Sequence, residues 1–289
     1  MPGPLLAVDA PFLLYRSFFA LPETIVDPDG RPVNALLGAA NALLRLAADH
    51  GPRAIVLCFG AEAAAYRVKL YPAYHAARPP LPTGLERQFA RAPGFFAHFG
   101  WGSISDEALE ADDLLGSLAC VEQRAGGAAL ILTGDRDMFQ CVGERCAVLY
   151  LRSGTTGVER IDEAEVVRRY GIPPALVPDF IALRGDPSDG LPGAPGIGAK
   201  TAAELLRRHG SLERAIERAA EERPRTAAAL REHAAALRDF REIARLRCVE
   251  LERPADQPTD LVEGARAARG LGMRRLAVRL ERVHSLSEL

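Results

Sequence analysis

The sequence predicts an α/β domain on a parallel sheet, followed by an all-α domain. Three observations support this. Short apolar runs at 5–8, 54–59, 128–133 and 147–151 alternate with stretches of helical periodicity, the rhythm of a doubly wound sheet. From about residue 162 the strand-like runs give way to successive short amphipathic helices. Acidic residues gather at the ends of the apolar runs and in tight Gly/Pro turns instead of spreading over helix faces.

In chain order, 5–8 is a short buried strand closing on Asp9. Residues 34–49 place Leu36, Leu37, Ala40, Leu43, Leu44 and Ala47 at helical spacing. After the strand at 54–59, residues 60–84 are rich in Tyr, Arg and Pro (Tyr66, Arg67, Tyr71, Tyr74, Arg78, Pro79, Pro80, Pro82) and are expected to project from the sheet. Helices are expected at 85–99 and 110–124, followed by strands at 128–133 and 147–151. The second half reads as helices at 162–170, 176–184, 199–209, 211–221 and 224–247, with more helix after Pro254. The glycines of Leu191-Pro192-Gly193-Ala194-Pro195-Gly196-Ile197-Gly198-Ala199-Lys200-Thr201 precede a helix, so backbone N–H groups and the helix dipole can face one anion.

A chain of 289 residues, 48% apolar and 26% charged, reads as a soluble globular protein. No window nears the ~18 apolar residues of a membrane span. Met1-Pro2-Gly3-Pro4 lacks a basic n-region, so no secretory signal is evident and a cytoplasmic location is expected. Five cysteines without a CxxC pair read as reduced thiols instead of disulfides or zinc ligands. Net charge is only −2, but residues 1–165 carry 14 basic against 20 acidic side chains and 166–289 carry 22 against 18. That division suits metals in the first part and phosphates in the second, or a set of solvated helices. Lysine occurs only at 69 and 200.

The acids form four groups: Asp9; Glu110-Ala111-Asp112-Asp113; Asp135 and Asp137 in Leu132-Thr133-Gly134-Asp135-Arg136-Asp137; and Asp186 with Asp189 in Gly185-Asp186-Pro187-Ser188-Asp189-Gly190. Carboxylates converging from strand ends repel one another unless cations lie between them, and an oxygen-only ligand set selects Mg²⁺ or Mn²⁺. Such a site at the carboxyl edge of a parallel sheet suggests phosphodiester hydrolysis, with two ions roughly 3.5–4 Å apart. Taken singly, Asp112 and Asp113 could be helix N-terminal acids, and Asp9, Asp135 and Asp137 turn residues.

These four blocks, with Leu14-Tyr15-Arg16-Ser17-Phe18 and Gly196-Ile197-Gly198-Ala199-Lys200-Thr201, resemble in order the bacterial 5′–3′ exonuclease family, from about residue 5 to 250. That family comprises the N-terminal nuclease domain of DNA polymerase I and stand-alone flap endonucleases. The resemblance implies a PIN-like nuclease domain over 1–161, with an arch at about 60–100, and a helix–three-turn–helix duplex-binding domain over 162–289. It implies metal-dependent hydrolysis of DNA at a 5′ end, nick or 5′ flap in replication or repair. The metal carboxylates it implies are Asp9, Glu110, Asp112, Asp113, Asp135, Asp137, Asp186 and Asp189, some acting through water. Arg78 and His75 fall on the arch positions that face the scissile phosphate. Gly196, Gly198, Lys200 and Thr201 match the duplex grip, where a K⁺ ion is also implied. Tyr15 and Arg16 are further DNA-binding candidates, and Arg67 meets either phosphate or solvent. Tyr15, Tyr66, Tyr71 and Tyr74 either stack on unpaired bases or pack within core and arch. The expected partners are DNA and, in trans, a DNA polymerase and ligase; the chain is expected to be a monomer.

The chain departs from the family pattern twice. Cys58-Phe59-Gly60 stands where an Asp should end the second strand, and Tyr74-His75 stands for Tyr-Lys. Both departures deplete the first metal site, while Asp135, Asp137, Asp186 and Asp189 remain for the second. Activity is the favoured expectation, and a DNA-binding protein with little turnover is the alternative. An acid returned at Gly60 is expected to raise activity or relax metal preference.

Overall fold

The computed structural model describes residues 3–152 and 157–287. Among these residues six strands form one sheet in the order β3-β2-β1-β4-β5-β6: β1 (Leu5–Asp9), β2 (Ala54–Gly60), β3 (Gly102–Asp106), β4 (Ala129–Thr133), β5 (Cys146–Leu151) and β6 (Val158–Ile161). All pairings are parallel except β5 with β6. From β1 the chain winds outward through β2 and β3. It then returns to the other side of β1 and winds through β4, β5 and β6. The carboxyl ends of β1 and β4 therefore flank the point where the winding reverses, where a parallel sheet leaves an open crevice.

Strand residues alternate between two apolar layers. Leu5, Ala7, Val56, Cys58 and Ile131 face a core shared with α5 (Ala111–Arg124), α7 (Val177–Arg184), α8 (Ala199–His209) and α11 (Ala234–Ala244). Leu6, Val8, Ile55, Leu57 and Leu132 face the other core, beneath α1 (Ala10–Ala20), α2 (Asn34–His50) and α4 (Thr83–Ala97). Both faces are covered, which explains why these strands read as unbroken apolar runs.

Several elements differ from expectation. Helix α4 buries Leu85, Ala92, Phe95 and Phe96 against the sheet, so only about residues 60–82, including α3 (Ala65–Leu70), stand off where an arch to 100 was expected. The expected helix 224–247 is two, α10 (Pro224–Glu232) and α11, broken at His233. The break lets α10 pack on the turn at 219–221 while α11 packs on α7 and α3. The last helices, α12 (Leu261–Gly270) and α13 (Arg274–Ser287), place Ala265, Ala268, Leu276 and Ala277 in the second core, beside α2 and α4 and away from α7 and α8. Strand β3, Gly-Ser-Ile-Ser-Asp, is a polar edge strand without an apolar signature. No helix is long and apolar enough to cross a membrane among the described residues.

The chain leading to α12 is fixed by a buried ion network. Arg53 and Glu122 pair with side chains 2% and 1% exposed. Arg53 Nη1 also donates to Pro254 O and Asp256 Oδ1, both at 2.7 Å, and Arg253 reaches Glu122 at 2.9 Å. Removing one member strands a buried charge. Glu122→Ala is expected to lower stability by about 3 kcal/mol in urea unfolding, the low end because Arg53 keeps Asp256; a loss below about 1 kcal/mol would show that the pair does not fix this junction.

Candidate active site

The acids at the crevice are placed by strand ends and turns. Asp9 ends β1 and caps α1: its Oδ1 accepts from Phe12 N at 3.0 Å and its Oδ2 from Thr133 Oγ1 at 2.6 Å. The same hydroxyl oxygen accepts from Asp135 N at 3.0 Å, and Asp135 Oδ1 accepts from Asp137 N at 2.8 Å. Thr133, which sequence reasoning passed over, therefore joins the ends of β1 and β4. Its only signal was its place just before Gly134-Asp135. Asp186 and Asp189 sit in a turn closed by reciprocal backbone bonds between Asp186 and Leu191, both 2.8 Å. Gly193, at φ +69°, lies so close to Gly185 that a Cβ would come within 2.3 Å of its nitrogen, so this loop packs against itself only with glycine there.

The electrostatics show that these groups converge. Burial pushes the Asp9, Asp112, Asp135 and Asp137 carboxyls above their ordinary range, Asp135 to about 7. Mutual repulsion adds to this: Asp112 feels Asp135, Asp9 and Glu110, while Asp135 and Asp137 each feel Asp186 and Asp189. Among the described residues no three side chains already stand as a ready coordination shell. The donor set is nevertheless all hard oxygen, and its raised carboxyls are those a divalent cation would relieve.

Two expected site residues turn out to be bracing. Asp113 is fully buried and its oxygens accept from Arg67, from the Tyr66 hydroxyl, from Glu110 N and from Arg247 N. No lone pair is left facing the crevice, so the structure does not bring Asp113 to the other acids. Arg67, expected at phosphate or solvent, is 3% exposed. It pairs with Glu110 at 3.0 Å and Asp113 at 2.9 Å, and donates to Ile243 O at 2.9 Å. Glu110 is held by Arg67, by Ala64 N at 2.7 Å and by the Tyr74 hydroxyl at 2.9 Å, while still acting on Asp112. Tyr66, Tyr71 and Tyr74 are engaged within the protein, as the packing alternative expected. Tyr66 is capped by Arg247 at 3.3 Å, Tyr71 packs edge-on to Phe240, and Tyr74 is buried. Tyr15 remains 46% exposed on α1, and Arg16 beside it donates to Arg152 O at 2.9 Å.

His75 does not face the path outside the crevice. Its ring is 4% exposed, stacked on Tyr74 at 3.8 Å, with Nδ1 2.8 Å from Glu62 O and Nε2 2.9 Å from Asp189 Oδ1. Nδ1 can only donate to that carbonyl. Nε2 therefore meets Asp189 either as a cation's second donor or as acceptor of a carboxyl proton. At φ +56°, His75 is a positioning residue that clamps the arch to the 186–191 turn. Arg78 reaches the same Asp189 oxygen at 3.4 Å, with its side chain 41% exposed, and so stays at the rim. Gly60 corrects the expectation of a restorable acid: a Cβ there would lie 2.4 Å from Ala111 N and 2.5 Å from Glu110 C. The backbone entering α5 fills that corner.

Away from the acids, Gly196, Gly198 and Lys200 are exposed and Thr201 is half-buried at the N-terminus of α8. Gly198 is its N-cap and no side chain caps it, so its first N–H groups face outward.

Family models match most of the chain: a 5′–3′ exonuclease N-terminal resolvase-like domain over residues 4–171 and a 5′–3′ exonuclease C-terminal SAM fold over 172–261. A protein named 5′–3′ exonuclease from Mycobacterium tuberculosis is 38% identical over 248 residues, covering 79% of this chain and 77% of its own. DNA polymerase I of Mycobacterium bovis is 36% identical over 243 residues, 84% of this chain but 27% of that protein. The chain thus spans about a quarter of the polymerase relatives it matches. Among solved structures, a T5 5′-exonuclease with bound zinc superposes with TM-score 0.69 at 15% identity, covering 96% of both chains. The catalytic core of Rad2 with DNA substrate gives 0.60 over 96% of this chain and 92% of that one, also at 15% identity. These two establish likeness of fold.

Two outcomes follow from the site's electrostatics and packing. Between its ordinary 3.8 and about 7, Asp135 binds its proton more tightly folded than unfolded, so the folded chain loses stability as pH rises through that window. Carboxyls held low by basic partners, Glu213 by Arg238 and Glu222 by His209 and Arg208, act in the opposite sense only near and below their ordinary 4.5. Metal-stripped protein should therefore melt several degrees higher at about pH 5.5 than at about pH 8, and Mg²⁺ should raise the midpoint more at the higher pH. Equal midpoints at both pH values would refute the convergence of charge. Gly60→Asp should lower the melting temperature, not restore a ligand; an unchanged midpoint would mean that the 109–111 backbone yields freely.

Proposed function

The chain belongs to the 5′–3′ exonuclease family, and on that premise we propose that it hydrolyses DNA phosphodiesters at a 5′ end, nick or 5′ flap. The observation that carries this reading is the convergence of Asp9, Asp112, Asp135, Asp137, Asp186 and Asp189 on the crevice where the sheet's winding reverses. These residues, with Glu110 behind Asp112, would hold divalent ions, Mg²⁺ or Mn²⁺ by donor hardness and two by ligand number. Bound there, the ions supply charge neutralisation at the phosphate and a water activated for attack.

The chain's own groups do the rest. Thr133 orients the Asp9 carboxylate, to which its hydroxyl donates, and the Asp135 backbone, whose N–H it accepts. The Arg67–Glu110–Tyr74 bonds hold the base of the arch against α5, beside Asp112. Arg78, at the rim, has the length and charge to move from Asp189 to a substrate phosphate. The exposed N–H groups at α8, with Lys200, offer a grip on the duplex backbone away from the cut. Tyr15, 46% exposed on α1, would stack on a base at the junction. A K⁺ ion at the 191–198 loop and a monomeric state complete the reading, with a DNA polymerase and ligase acting in trans on the trimmed strand.

One observation favours weaker turnover, or a DNA-binding role with little of it: β2 ends in a glycine with no room for a carboxylate, and His75 already occupies Asp189.

The test is cleavage of a 5′-flap duplex under metal titration. Cleavage is expected only with divalent ions. Asp135→Ala and Asp189→Ala should each lower the rate by about a hundredfold or more while flap affinity holds. Lys200→Ala should instead weaken binding and flatten its salt dependence by about one unit. Equal cleavage in chelator would overturn the reading, and tight flap binding by a chain that no metal activates would leave the binding role.

A further inference from the structure

Two thiols far apart in sequence meet on the surface of α5. Cys120 Sγ lies 3.7 Å from Cys248 Sγ, across 128 positions of sequence. Cys120 is half-buried and Cys248 exposed. Cys248 belongs to the extended segment 245–251, which leaves α11 and crosses α5 without helix or strand of its own. That segment is already registered on α5 at neighbouring positions. Arg247 N donates to Asp113 Oδ1 and Val249 N to Ser117 Oγ, both at 2.9 Å, while Leu246 N donates at 3.2 Å to Gln140 Oε1 in the turn after β4. The backbone is therefore held while the two sulfurs stand in van der Waals contact. Closing from 3.7 Å to a bond of about 2.05 Å brings the two sulfurs together over a short remaining gap.

We propose that Cys120 and Cys248 form an oxidative modification site, a dithiol that closes to a disulfide and staples the 245–251 segment to α5. The bond would join the part of the chain matched by the N-terminal family model to the part matched by the C-terminal one. Hydrogen peroxide is a sufficient oxidant. The Cys248 thiolate attacks one peroxide oxygen and becomes a sulfenic acid, releasing water after protonation. Cys120 then attacks that sulfur, forming the S–S bond and expelling the sulfenic oxygen as a second water. Two thiols lose two electrons and two protons to one peroxide. Cys248 is the entry point because it is exposed. Partial burial and the Cys120 contact hold its thiol above the usual range, with Arg124 pulling the other way, which suits a slow sensor better than a fast peroxidase.

The experiment uses the full chain, treated with millimolar hydrogen peroxide, quenched, and mapped by mass spectrometry of unreduced peptides. The expected result is a linked pair of peptides carrying Cys120 and Cys248, two hydrogens lighter than the free pair and separated by dithiothreitol. A rise in melting temperature of about 5 °C or more should accompany it. Cys248→Ser, at an exposed position, should match the parent when reduced and lose both responses to peroxide. Linkage of Cys120 to Cys141 or Cys146 instead, both thiols remaining alkylatable after oxidation, or the same thermal rise in Cys248→Ser would each overturn the proposal. None of these readouts depends on nuclease activity.

Discussion

Repulsion among carboxylates is the constraint around which this molecule is arranged. Six acids from four stretches of chain meet where the strand order reverses, and the basic groups that reach them, Arg78 and His75 at Asp189 and Arg184 at Asp186, bond only the acids of the 186–191 turn. Hydrogen bonds from Phe12, Thr133 and backbone amides offset part of that cost at Asp9 and Asp135. The remainder appears as carboxyls that keep their protons unusually well. A fold built only for stability would place aliphatic side chains at these positions. The stress is concentrated where the sheet is open and cations can enter.

A second ring of contacts keeps that stress from spreading. Arg67 is its hub, binding Glu110 and Asp113 on α5 and the carbonyl of Ile243 at the end of α11. One guanidinium thus ties together the arch base, the helix that carries Asp112 and the last helix of the C-terminal cluster. Tyr66, Tyr74 and Arg247 close the same ring. Glu110-Ala111-Asp112-Asp113 therefore divides its labour: Asp112 points to the crevice, Asp113 is spent on bracing, and Glu110 serves both neighbours.

Much of this was legible in the sequence. The strands were visible because both sheet faces are covered and their residues read as apolar runs. The four acid groups were visible because each follows a strand end or sits in a Gly/Pro turn. What remained hidden has common causes. Strand β3 is a polar edge, and its pairing comes from β2 instead of from its own composition. The reading of Arg67 as facing phosphate or solvent missed its burial, and the arch tyrosines stayed open between stacking and packing, because sequence shows residue type but not burial. Asp112 and Asp113 are neighbours with the same chemistry, and only the helical rotation between them decides which faces the cleft. Helices α12 and α13 carry ordinary amphipathic patterns, which cannot say that they return to the first domain's far face.

The corner at Gly60 has a historical consequence. With the main chain of 109–111 drawn into the space that an acid would need, a codon substitution introducing an acid at that one position meets a steric barrier before it can confer any benefit. A lineage that reached this state would have to loosen the approach to α5 first, by changes that are neutral or harmful alone. The glycine thus works as a gate, and adaptation of such a chain is steered toward the acids already at its crevice.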